Sequence, residues 1–176
     1  MKKCNYVIDT SYLDEYYQID KYSKKANIPE IKKRFDKAFN NSSRLFVPVP
    51  VIFEIANHIA HVRGDRRYEL AERFTNDIQN SHEKHSPFHI EQCKEFETVQ
   101  CLVEKLTQYS KEYVLQGLGL TDTAVYLQAE RLSEDNKKYK KIKYIPVHIW
   151  TKDNSLKSRE PDPEEDPFLG EGVQKH

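Results

Sequence analysis

Short apolar runs alternate with helix-period stripes along most of the chain. Residues 4–9 (Cys-Asn-Tyr-Val-Ile-Asp) read as a strand that ends in a carboxylate. Ser11 then looks like a helix start, with Tyr12, Leu13, Tyr16 and Tyr17 at i, i+1, i+4 and i+5 forming an aromatic face. Pro29 suits a first helical turn, and Ile31, Phe35, Ala38 and Phe39 recur at helical spacing after it. The polar cluster 40–43 is a turn, and Leu45-Phe46-Val47 is a second strand. A helix is expected over 51–62, with Ile52, Ile55, Ala56, Ile59 and Ala60 as its buried stripe. Gly64 closes it, and Asp65 is placed to cap a helix over 66–79.

Phe88-His89-Ile90 is a weak third strand, and a helix over 95–110 carries Phe96, Val99, Leu102, Val103 and Leu106 as its stripe. Thr121 is expected to cap a helix that runs to Leu132. The last strand falls in 143–150, where Pro146 implies an edge position or a late start at Val147. Strand and helix alternate throughout, so the fold class is α/β, a mainly parallel sheet with helices on both faces. The expected domain is 1–156, followed by an acidic tail, 157–176, whose composition predicts mobility.

Composition narrows the picture. At 176 residues the length suits one domain, and 11 Tyr with 8 Phe supply core material, which argues against low-complexity disorder. Mean hydropathy is −0.83 and no long apolar run exists, which excludes a membrane-spanning helix. The apolar stretch after residue 5 is too short for a signal peptide, so a cytoplasmic location is expected. Three cysteines without paired spacing suggest reduced thiols, not a disulfide framework. The 28 basic and 28 acidic residues cancel, but locally they do not: residues 136–143 hold five Lys, and residues 157–176 hold six acids against three bases.

In open α/β sheets the carboxyl ends of the strands carry the ligand site. Asp9 ends the first strand, Glu54 follows the second, Asp122 opens the helix near Thr121, and Asp153 lies just past the last strand. Four carboxylates converging on one sheet edge repel one another and are tolerable together mainly around a cation. Hard oxygen donors select Mg²⁺ or Mn²⁺, whose natural task is phosphate chemistry. Taken singly, each acid also suits an ordinary role as a cap, a turn residue or a solvated helix face.

Four segments resemble the motifs of PIN-domain nucleases. These are Val7-Ile8-Asp9-Thr10-Ser11, the stretch from Val49 to Asn57 around Glu54, Leu120-Thr121-Asp122-Thr123-Ala124, and Trp150-Thr151-Lys152-Asp153-Asn154. The chain is most similar to the VapC-type branch, many of whose members are toxins of toxin–antitoxin pairs. The resemblance implies a three-layer α/β/α sandwich and a metal-dependent endoribonuclease. Asp9, Glu54, Asp122 and Asp153 would hold Mg²⁺ or Mn²⁺, with Ser11 and Thr151 as supporting hydroxyls. It further implies an RNA substrate, an antitoxin partner and a homodimer. Arg63, Arg66 and Arg67, and the lysines Lys137, Lys138, Lys140 and Lys141 with Tyr139 and Tyr144 among them, are candidate RNA contacts.

Glu54, His58 and His61 share one helix face and could ligate zinc, but the HExxH order is absent; His82, His85 and His89 suit a solvated loop. A phosphatase with Asp9 as nucleophile would want a second Asp where Ser11 stands. Five Gly and no GxGxxG argue against dinucleotide binding. A catalytically silent PIN module that binds RNA or a protein is the alternative to the nuclease.

Overall fold

The computed structural model describes residues 3–82, 88–91, 98–138 and 144–171. Phe96, Cys93, His85, Tyr139, Lys140 and Lys141 lie outside the described residues. Four strands, β1 (Asn5–Ile8), β2 (Arg44–Pro48), β3 (Phe88–Glu91) and β4 (Val147–Trp150), form an all-parallel sheet in the order β3-β2-β1-β4. The helices are α1 (Thr10–Tyr17), α2 (Ile28–Asn40), α3 (Val49–Ala60), α4 (Arg66–His82), α5 (Val99–Gln108), α6 (Leu120–Lys138) and α7 (Asn154–Lys157). This is an α/β/α sandwich. No helix among the described residues is long and apolar enough to cross a membrane.

Both faces of the sheet follow from strand alternation. Val7, Val147 and Ile149 are fully buried, and α6 packs against β1, β2 and β4. The residues between them, Tyr6, His148 and Trp150, look to the other face, where Phe35 of α2 and Tyr12 of α1 meet Trp150 ring to ring. Every strand ends at the same sheet edge because all run parallel. That geometry delivers Asp9 and the segment 151–153 to neighbouring positions, since β1 pairs directly with β4.

Several boundaries differ from the sequence reading. α1 begins at Thr10 and is capped by Asp9, whose carboxylate accepts from Ser11 N, so Ser11 is not the cap. α3 begins at Val49, because Pro50 in the first turn needs no N–H partner. Its buried stripe is Val51, Ile55 and Ile59, while Ala56 and Ala60 face solvent. α6 starts at Leu120 and runs past Leu132 to Lys138. The α5 stripe does not bury: Val99 is 79% exposed and Val103 is 53% exposed, and α5 contacts chiefly the single π-type turn Tyr109–Tyr113 that follows it.

The acidic segment after Leu156, expected to be mobile, is tied down through residue 171. The outward N–H groups of β4 would be unpaired at this sheet edge. Val147 N donates to Asp162 Oδ2 at 2.8 Å and Ile149 N to Glu160 Oε2 at 3.1 Å, so carboxylates take the place of a further strand. Buried Lys157 reaches the Ile149 carbonyl, Glu160 and Glu164 at 2.7–2.9 Å. Tyr12 Oη donates to the Phe168 carbonyl, and Glu171 N to Asn27 Oδ1.

Candidate functional site

Asp9 is buried at the top of β1, and three donors converge on its Oδ2. They are Ser11 Oγ at 2.7 Å, Thr151 Oγ1 at 2.9 Å and Ser11 N at 3.3 Å. Burial raises the Asp9 carboxyl above its ordinary value of 3.8, and the hydrogen bonds from Ser11 and Thr151 oppose that rise.

The two hydroxyls each serve a second group. Ser11 Oγ accepts from Lys152 N at 2.9 Å, and Thr151 Oγ1 accepts from Asp153 N at 2.9 Å. They therefore fasten the segment 151–153 to Asp9. Asp153 caps α7 through Leu156 N at 2.8 Å and is exposed.

Glu54 lies in the second turn of α3 and accepts from Thr10 Oγ1 at 3.0 Å, which draws it to the residue after Asp9. Asp122 lies in the first turn of α6, where its Oδ2 accepts from Gly119 N at 2.7 Å. Its carboxyl is pushed up to about 6. Burial is the largest cause; the Gly119 N–H opposes it, and the negative charges of Asp9, Asp153 and Glu54 add to it. Asp9, Asp153 and Glu54 thus stand near enough to Asp122 for their charges to raise it. None is paired with Lys, Arg or His among the described residues.

The donor chemistry, four carboxylates and two hydroxyls, suits a hard divalent cation. Among the described residues, however, no group of three or more His, Cys, Asp or Glu side chains stands close enough to hold an ion. The zinc arrangement does not form either. Glu54 goes to Thr10, His58 to Asp14, and exposed His61 to the Asn57 carbonyl at 2.7 Å.

Sequence reasoning missed a layer behind the acids. Glu15 is fully buried in α1 and accepts from Lys152 Nζ at 2.6 Å, Asn27 Nδ2 at 2.8 Å and Lys24 N at 2.9 Å. Asp14, also buried, meets His58 Nδ1 at 2.8 Å; burial pushes its carboxyl up to about 6, against the pull of His58. The available signal was the pair Asp14-Glu15 set among aromatic residues in a short helix.

The candidate RNA contacts fall elsewhere. Arg63, Arg66 and Arg67 are exposed around the start of α4, with Arg66 donating to the Gln18 carbonyl at the far end of α1. Lys137 and Lys138 are exposed at the end of α6, roughly 22 Å along the helix from Asp122. Of the predicted residues, Asp9, Ser11, Glu54, Asp122, Thr151 and Asp153 gather at one sheet edge, and the basic residues stand apart from them. No family model matches the chain, and no curated protein is significantly similar to it.

Proposed function

We propose that the chain is a metal-dependent endoribonuclease of PIN type. The observation that carries this reading is the placement of Asp9, Glu54, Asp122 and Asp153 at the carboxyl ends of the strands and the helix starts beside them, with no ion pair to Lys, Arg or His among the described residues. Asp9, Glu54, Asp122 and Asp153 would hold Mg²⁺ or Mn²⁺, which when bound neutralises charge on the phosphodiester and promotes hydrolysis.

The remaining work belongs to the chain. Ser11 and Thr151 orient the Asp9 carboxylate and oppose the rise that burial imposes on it. Glu15 holds Lys152 and thereby the segment bearing Asp153. The Gly119 N–H holds the Asp122 carboxylate at the start of α6. On the same resemblance to the VapC-type branch, the chain would act as a toxin with an antitoxin partner and form a homodimer.

The test is RNA cleavage with Mn²⁺ by the wild-type protein and by Asp9→Asn. The reading expects cleavage by the first, and a folded but inactive second. Cleavage by Asp9→Asn refutes the site assignment. RNA binding that EDTA does not alter, with no cleavage by the wild type, points to the silent module.

A further inference from the structure

Helices α1 and α3 lie side by side, and their side chains meet rung by rung. Thr10 donates to Glu54 on the first rung. One helical turn further along both helices, Asp14 meets His58. Past the ends of both, the Gln18 carbonyl accepts from Arg66 at 2.8 Å, and Arg66 Nε lies 3.6 Å from Asp20. A path along α3 therefore leads from the acids, past His58, to the cluster of Arg63, Arg66 and Arg67.

His58 is held for more than packing. Asp14 takes its Nδ1, and Tyr22 lies flat against the ring at 3.6 Å between centroids and 9° between planes. Turning the ring over loses the Asp14 contact, and tilting it loses the Tyr22 stack. Nε2 therefore faces away from Asp14, and no partner for it stands among the described residues. The side chain keeps 13% of its surface exposed. In the imidazolium form both nitrogens donate, and the second is then free for an acceptor that arrives from outside. The acceptor expected beside a phosphodiester site is a phosphate oxygen. The step from Glu54 to His58, about 5.4 Å along the helix, is comparable to the step between neighbouring phosphates of an extended strand.

We propose that α3 carries the track of a single-stranded RNA substrate, with His58 Nε2 gripping a phosphate next to the one at the acids and Arg66 gripping one further out. This rests on the nuclease reading above.

The test is RNA binding by fluorescence anisotropy in EDTA, using short single strands with one neutral methylphosphonate linkage moved step by step. One linkage should weaken wild-type binding about tenfold when neutralised, and weaken His58→Asn no further. A second linkage should behave the same way with Arg66→Gln, an exposed position whose substitution does not threaten the fold. Equal loss by the variants at every linkage, unchanged affinity in both variants, or no binding by the wild type overturns the track. The assay contains no divalent ion and reads no turnover. Failure of the nuclease reading appears as absent cleavage, whereas failure of the track appears as absent coupling between linkage and residue.

Discussion

The hydroxyl of Thr151 donates to Asp9 Oδ2 at 2.9 Å and accepts from Asp153 N at the same distance. One side chain thus sets the spacing between two of the four acids, which are far apart in sequence. Thr151→Val keeps the shape and removes both bonds. It should lower stability by about 1–3 kcal/mol, measured by urea denaturation near neutral pH, and it should reduce cleavage. Unchanged stability would mean that the hydroxyl does not hold the loop.

Acid pH should stabilise the protein through Asp122 and Asp14. Both carboxyls stand at about 6 in the folded chain, against 3.8 ordinarily. Between those values the folded state binds more protons than the unfolded state. This contribution is therefore present at low pH and is lost as pH rises through about 6. Thermal melts at about pH 5 and about pH 7.5 should show a higher Tm at the acid end from this source, and the difference should shrink in Asp122→Asn. An equal or larger difference in the variant contradicts the assignment.

Gly119 reads as a positioning device for Asp122. A Cβ built there comes within 3.2 Å of Asp122 Oδ2, the atom that the Gly119 N–H holds. In Gly119→Ala the carboxylate must shift by a few tenths of an ångström, while little else is touched. Cleavage should drop roughly tenfold with Tm nearly unchanged, and wild-type activity would show that the Asp122 position is not critical.

Lys157 is the pin of the acidic strap. It stands among Glu160, Glu164 and the Ile149 carbonyl, and the side chains of Lys157, Glu160 and Glu164 are largely buried. Lys157→Met leaves Glu160 without its lysine and Glu164 with Arg34 alone, and should cost about 3–5 kcal/mol, read by urea denaturation. A loss under about 1 kcal/mol would mean that the strap is dispensable.

Much of this architecture was legible because it rests on local rules. The short apolar run Val7-Ile8 ending in Asp9, and the spacing of Ile31, Phe35 and Ala38, are local patterns. The four acids were found because each follows a strand or opens a helix. Their supporting layer was not, because Glu15 meets Lys152, and Asp14 meets His58, through contacts that no local spacing encodes. The strap was hidden for a related reason. Its acids read as solvated until β4 is known to present Val147 and Ile149 N–H groups at an open edge. The α5 stripe misled in the other direction, since an amphipathic period reports a face and not what covers it.

The proposed function rests on Asp9, Glu54 and Asp153 acting on Asp122 and on a divalent ion binding among these acids. The most direct measurement is a carbon-detected NMR titration of the Asp122 carboxyl, without and with Mg²⁺, in the wild-type protein and in Asp9→Asn. The account predicts a midpoint at about 6 without Mg²⁺, a clear fall on adding Mg²⁺, and a lower starting value in Asp9→Asn. A midpoint that neither Mg²⁺ nor the loss of the Asp9 charge moves would contradict it.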